Sequence, residues 1–156
     1  MRRTAIVGGL VALAVVVAGT ASLASAAGGK TTPKVKVSAA LNVGQETPRP
    51  TGTKRGASGK FTATLTGRKL AWKLTYKKLT GPALAAHVHV GKRGVAGDVV
   101  VPLCGESPAC TSGVSGSVTL TAAQAKALKA GGYYVNVHTA ANPGGEIRGQ
   151  ITKLPG

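Results

Sequence analysis

Two neighbouring segments of the chain alternate apolar and polar residues on either side of a two-residue turn, Gly67-Arg68. A turn of this length pairs Thr66 with Lys69. The register places the larger apolar side chains opposite one another on one side; they are Phe61, Ala63, Leu65, Leu70, Trp72 and Leu74. A shift by one residue would move all of them to the other face, so the pattern fixes both the register and the buried side. The two segments are predicted to form an antiparallel hairpin.

The same period of two recurs along most of the chain. Further candidate strands cover residues 35–43, 85–91, 99–103, 113–119, 133–139 and 147–151. One segment has a helical pattern, because Thr121 and Gln124 form a capping box, residues 122–129 favour a helix, and Gly131-Gly132 ends it. About eight short strands with one short helix predict an all-β fold, an antiparallel β-sandwich.

The N-terminus has the order of features of a secretory signal peptide. Arg2-Arg3 precedes an apolar run of about 14 residues, shorter than the roughly 20 that span a bilayer, and Ala24-Ser25-Ala26 follows. We predict cleavage after Ala26, with residues 1–26 as signal peptide, 27–34 as linker and 35–154 as one domain. An uncleaved membrane anchor is the alternative. The mature protein is expected to be secreted, either extracellular or associated with the cell wall, and not to contact the membrane.

The chain is strongly basic and contains two cysteines. It has 20 Lys and Arg against four Asp and Glu, a formal net charge of +16, and a field of this sign attracts polyanions. In an oxidising compartment, Cys104 and Cys110 are expected to form a disulfide across a short turn. A redox-active pair is the alternative, although the Cys-x-x-Cys spacing and the helix start of such pairs are missing.

Three motifs carry a family resemblance. In chain order they are Gly44-Gln45-Glu46-Thr47-Pro48, Ala86-His87-Val88-His89-Val90, and residues 133–139 leading into 142–150. Together they resemble the CHRD domain, a module of the developmental antagonist chordin that also occurs in secreted bacterial proteins, over roughly residues 35–153. The resemblance implies an immunoglobulin-like, Greek-key β-sandwich. It implies no settled chemistry that could be assigned to particular residues.

All three histidines lie on predicted strands, on the face opposite the valines. His87 and His89 alternate with Val88, and His138 follows Val137. If the valines fill the core, the histidines lie on an outer face that is turned toward water. Alignment of the core then pairs Val137 with Ile147, which places His138 opposite Glu146, Asn136 opposite Arg148 and Tyr134 opposite Gln150.

This arrangement suggests a site for one copper or zinc ion, with His87, His89 and His138 as ligands and Glu146 as the acceptor that orients His138. The strand His87-Val88-His89 is also similar to the copper-binding strand of Cu,Zn superoxide dismutase. The sequence has no convincing bridging histidine and a single Asp, so a two-metal dismutase site is not predicted. The alternative is that the histidines only form hydrogen bonds beneath a loop. No other cofactor is expected.

Lys69, Lys73 and Lys77 share the outer face of a predicted strand, with Lys78 beside them. Such a strip favours phosphate-rich or carboxylate-rich polymers of the cell envelope, and ordinary solubility is the alternative. Aromatic residues make up 3% of the chain, and Phe61 and Trp72 are assigned to the core, so a specific nucleic-acid site is not predicted.

Patterns typical of enzymes are scarce. The four acidic residues form no obvious pair, no nucleophile motif accompanies a histidine, and no Gly-rich phosphate loop opens a helix. We therefore expect a non-enzymatic binding or structural protein of the cell envelope. Its partner, an envelope polyanion or another protein, is unknown. The alternatives are a single-site copper or zinc protein and a basic polyanion-binding protein.

Overall fold

The computed structural model describes residues 31–155, in which nine strands and one α-helix follow each other along the chain. In chain order the elements are β1 (Lys34–Asn42), a 3-10 turn (Val43–Gln45), β2 (Ser58–Thr66), β3 (Lys69–Lys77), β4 (Ala83–Val90), β5 (Val99–Cys104), β6 (Ser115–Thr119), α1 (Ala122–Lys129), β7 (Tyr133–Thr139), β8 (Ile147–Gln150) and β9 (Thr152–Lys153). The predicted signal peptide, residues 1–26, and the first four residues of the predicted linker lie outside the described residues.

The strands of the described part form one antiparallel sheet in the order β5-β4-β7-β8-β1-β2-β3-β6, with the short β9 added to β1. The edge strands β5 and β6 contact each other, and side chains from both ends of the order join one core. The predicted all-β, antiparallel class with one short helix is confirmed. A sandwich has two separate sheets as layers. Here the strands of both layers belong to a single curved, nearly closed sheet.

Period-two alternation determines which side chains enter the core. In the β2–β3 hairpin, Leu65 pairs with Leu70, Ala63 with Trp72 and Phe61 with Leu74, as the sequence predicts. These side chains are all buried, and each of the six is at most 8% exposed. The intervening residues of both strands point to the outer side, so the hairpin has one apolar and one polar face.

The helix and the disulfide also form as predicted. Thr121 accepts a hydrogen bond from the backbone of Gln124, whose side chain accepts one from the backbone of Thr121. Helix α1 packs Leu128 into the core and leads from β6 to β7. Cys104 and Cys110 are joined in a disulfide. Among residues 31–155, no helix has the length and apolar character needed to cross a membrane.

Candidate metal centre

The three histidines lie on the outer face of β4 and β7, as the alternation predicts. Val88 and Val137 are 1% and 0% exposed in the core, and Val137 pairs with Ile147 across β7 and β8. The pairing of Asn136 with Arg148 and of Tyr134 with Gln150 is confirmed as well. We define the polar face as the outer side of β4, β7 and β8 carrying these groups; its members are His87, His89, Tyr134, Asn136, His138, Arg148 and Gln150.

The prediction that the imidazoles face water needs correction. His89 is only 9% exposed, and His87 and His138 are half-buried. Backbone from residues 91–98 and from the turn between β7 and β8 lies against these rings, through the carbonyl oxygens of Gly97 and Pro143. The alternation identifies the side of the sheet correctly, but loops then cover that side.

The structure brings the three histidines together. One ring nitrogen from each can be chosen so that all three lie within 4.8 Å of one another. The closest approach joins His87 Nδ1 and His138 Nε2 at 3.2 Å. This cluster unites residues separated by 51 positions in the sequence, because β4 and β7 are neighbours in the sheet.

Backbone carbonyls fix the proton positions of two of the rings. His89 Nδ1 lies 2.9 Å from the Gly97 oxygen, and His138 Nδ1 lies 2.9 Å from the Pro143 oxygen. A carbonyl can only accept, so both Nδ1 atoms carry the proton and both Nε2 atoms present a lone pair. His89 Nε2 is buried and has no hydrogen-bond partner. Donation of the second ring N–H to a backbone carbonyl is the usual arrangement of metal-binding histidines.

The environment also keeps the rings neutral. Burial, together with the positive charges that His138 and His89 would carry, lowers the pKa of His87 to about 4. Burial lowers the pKa of His89 and of His138, and in both cases this effect exceeds the opposing effect of the hydrogen bond to backbone. Neutral imidazoles keep the lone pairs that a metal ion requires.

The spacing of the nitrogens suits one metal ion if the three rings draw closer, from within 4.8 Å of one another to about 3.3 Å. Two nitrogens bound to a tetrahedral zinc ion at about 2.05 Å lie about 3.3 Å apart, close to the 3.2 Å between His87 and His138. Because His138 Nε2 is an acceptor, His87 Nδ1 donates to it, and a shift of that proton to Nε2 of His87 would free the Nδ1 lone pair. His87 also borders an open cleft of about 450 Å³ beside the disulfide loop.

Glu146 does not have the role predicted for it. Its carboxylate accepts hydrogen bonds from the backbone and hydroxyl of Thr80, from Thr139 Oγ1 and from Asn142 Nδ2, while His138 bonds to Pro143. Glu146 precedes β8 in the turn, where strand alternation no longer sets the direction of a side chain. Burial raises the pKa of Glu146, but these hydrogen bonds outweigh burial and hold the pKa below its ordinary value.

Sequence reasoning missed that Arg148 is buried next to the cluster. Its guanidinium donates to the carbonyl oxygens of Lys92 and Val95 at 2.9 and 2.8 Å and lies 3.4 Å from the ring centroid of Tyr134. His89 stacks on the same ring, with centroids 4.9 Å apart. Strands β4 and β8 flank β7 on opposite sides, so His89 and Arg148 reach Tyr134 from different neighbouring strands. The predicted pairing of β7 with β8 was the sequence signal that could have located Arg148 next to the cluster.

Glu46 was also missed, although its motif contributed to the family resemblance. It follows the 3-10 turn and is 6% exposed, and its Oε2 accepts from Asn136 Nδ2 at 3.2 Å. Glu46 Oε1 and Asn136 Oδ1 are buried without a hydrogen-bond partner. Burial raises the pKa of Glu46 to about 7, against the charge of Arg148 and hydrogen bonds from Thr47 and Asn136. A proton on Oε1 would supply a donor in this pair of acceptors.

The predicted lysine strip lies elsewhere on the sheet. Lys69, Lys73 and Lys77 are exposed on the outer side of β3. Lys78 follows the end of β3 in a left-handed conformation, with φ of 58°, and its side chain lies beside Gly56. The strip on β3 therefore consists of three lysines, and Lys78 lies just beyond the end of the strand.

The comparison with protein families gives one result. The family model described as CHRD domain matches residues 37–151, which span β1 to β8 and contain the histidines, Glu46 and Arg148. No curated protein and no solved structure matches the chain. Because the matched region covers well over half of the sequence, the chain belongs to the CHRD domain family.

Proposed function

We propose that this protein is a secreted, non-catalytic CHRD-domain protein that binds one copper or zinc ion through His87, His89 and His138. The observation that carries the proposal is His89 Nε2, a buried lone pair without a partner, on a ring whose other nitrogen is bonded to Gly97. Leaving such a group unpaired is costly, and a metal ion shared with two neighbouring imidazoles removes that cost.

The class of metal follows from the donor atoms. Three neutral imidazoles suit copper and zinc, whereas calcium and magnesium prefer oxygen ligands. The group that can share one ion contains no carboxylate or thiolate among the described residues. Protein ligands then occupy three positions, and the remaining position is open to water or another ligand.

A non-catalytic role is supported by the way the reactive groups are engaged. Glu146 is held by three side chains and a backbone amide, and both cysteines are consumed by the disulfide. Within residues 31–155, the ring nitrogens in hydrogen bonds contact backbone carbonyls or another histidine, and none contacts a hydroxyl. An activated nucleophile would need such a contact.

Calorimetric titration of the untagged mature protein tests the proposal. After removal of metal with a chelator, the wild type should bind one equivalent of Zn²⁺ or Cu²⁺. His89→Ala should lose at least about 100-fold in affinity, because one ligand and the ring that orders Tyr134 are both removed. His87→Ala should lose affinity to a similar extent. Because His87 is more exposed than His89, this variant separates the loss of a ligand from a folding defect in His89→Ala.

Lys73→Ala is the control, since Lys73 is exposed on a strand far along the sheet order from β4 and β7. Its affinity should equal that of the wild type. Metal binding that survives both histidine substitutions, or a wild type that binds no metal, would contradict the proposed site. Secretion is tested separately by sequencing the N-terminus of the mature protein, which should begin at Ala27.

A further inference from the structure

The outer side of β1, β2 and β3 carries a second group of charged side chains. The register shows which residues share it, because paired residues point to the same side of a sheet. Its lysines are exposed, and together they define the lysine face: Lys34, Lys36, Lys60, Lys69, Lys73 and Lys77. Lys34 pairs with Thr66, which pairs with Lys69, so three strands contribute to one surface.

This positive charge is not compensated by acidic residues. Of the four in the chain, Glu46 and Glu146 are buried, Asp98 lies in the loop between β4 and β5, and Glu106 lies in the disulfide loop. Hydroxyl side chains fill many of the positions between the lysines and on the neighbouring strand β6; they are Thr62, Thr64, Thr66, Thr75, Ser115, Ser117 and Thr119. The surface therefore combines ammonium groups with additional hydrogen-bond donors.

The spacing of the lysines fits a long ligand better than a small one. On β3 they recur every four residues, about 14 Å apart, and Lys60 pairs with Thr75 on the neighbouring strand, about 8 Å from Lys73 and from Lys77. A single phosphate or carboxylate would meet few of these charges at once. A flexible chain with repeated negative groups would meet several of them.

The side-chain types narrow the class of polymer. The lysine face contains no arginine, the residue that recognises carboxylates through paired hydrogen bonds, and lysine acts on phosphate as a point charge. It also contains no aromatic side chain, because Phe61, Trp72 and Tyr76 alternate with the lysines toward the other side. Stacking platforms for nucleic-acid bases are thus missing from this surface.

We propose that the lysine face binds a flexible linear polymer of phosphate-linked units that carry no nucleobases. Each lysine neutralises one phosphate, and the intervening hydroxyls donate to the phosphate oxygens. This binding is independent of the metal centre, because the lysine face lies on β1 to β3 and the histidines lie on β4 and β7.

The test uses long-chain inorganic polyphosphate as the probe and metal-free protein, with binding measured by calorimetry. Affinity of the wild type should fall at least about tenfold when salt rises from about 50 to 200 mM, because counterions are displaced on binding. The variant Lys69→Gln, Lys73→Gln, Lys77→Gln should bind at least about tenfold more weakly than the wild type at the lower salt concentration.

A matched control removes the same charge elsewhere: Lys54→Gln, Lys92→Gln, Lys126→Gln, at three exposed loop or helix positions. Its affinity should stay within about threefold of the wild type. Equal losses in both triple variants would show a general effect of net charge and overturn the proposal. Tighter binding of polyglutamate or poly-dT than of polyphosphate would overturn the choice of polymer. His87→Ala should bind polyphosphate as the wild type does, which separates this test from that of the metal site.

Discussion

The polar face on β4, β7 and β8 and the lysine face on β1, β2 and β3 are both outer sides of the same sheet, yet they differ in environment. On the polar face, Arg148 and Asn136 are 2% and 4% exposed, and loops supply the partners of His89 and His138. On the lysine face, the side chains of Lys69, Lys73 and Lys77 are exposed. Alternation along a strand therefore separates core from outer side, whereas the loops decide whether an outer residue contacts solvent.

The difference has an energetic consequence. Replacing a charged side chain that remains in water changes the free energy of unfolding little. A buried charged side chain belongs to a hydrogen-bonded network, and its removal leaves the other members unpaired. Substitutions of similar chemistry should therefore have unequal effects on the two faces, with the larger loss of stability on the polar face.

Arg148→Met should lower the free energy of unfolding by about 4 kcal/mol, because it leaves the carbonyl oxygens of Lys92 and Val95 without a donor and removes the cation from the Tyr134 ring. Lys73→Met, the same loss of charge on the lysine face, should change it by no more than about 0.5 kcal/mol. Urea unfolding of both variants measures the difference. Equal effects of the two substitutions would show that the contacts of Arg148 with the covering loop contribute little to the free energy of unfolding.

Glu46→Gln should stabilise the protein at alkaline pH. The pKa of Glu46 is about 7 in the folded protein and near 4.5 when unfolded, so the stability it contributes in protonated form is complete below about pH 4.5 and is lost as pH rises through 7. The variant should exceed the wild type by about 3 kcal/mol above pH 7 and by little at pH 4.5. Unfolding curves across pH 4–9 check this, and a difference independent of pH would contradict the raised pKa.

Gly145→Ala should cost about 2 kcal/mol. Gly145 has φ of 130°, and a methyl group there would overlap the Asn136 amide and the Glu46 carboxylate. Gly144→Ala is the control, because nothing lies within 4 Å of its added carbon, and it should change stability by no more than about 0.5 kcal/mol. Thermal unfolding compares them. Similar melting temperatures would show that the Glu46–Asn136 contact tolerates displacement.

The sequence was informative where side chains follow the period of an element. The hairpin register from Phe61 to Leu74, the pairing of Val137 with Ile147 and the Thr121 capping box each depend on neighbours along a strand or helix. Each is confirmed for that reason. The position of the three histidines on one face could be predicted on the same basis.

What could not be predicted depends on loops. Glu146 lies in a turn, so its alternation with Ile147 did not indicate its contacts with Thr80 and Thr139. The burial of Arg148 depends on carbonyl oxygens from residues 92 and 95, in a segment without periodicity. The position of a free lone pair, such as that on His89 Nε2, depends on the hydrogen-bond partner of the other ring nitrogen. The alternation of residues along a strand does not reveal that partner.

The central claim is that the three imidazoles share one metal ion. X-ray absorption spectroscopy of the untagged protein, loaded with one equivalent of zinc and freed of excess metal, tests it most directly. We expect three imidazole nitrogens at about 2.0–2.1 Å from the ion, with one further light-atom ligand. A first shell made only of oxygen atoms, or one that keeps three imidazoles when His89 is replaced by Ala, would contradict the claim.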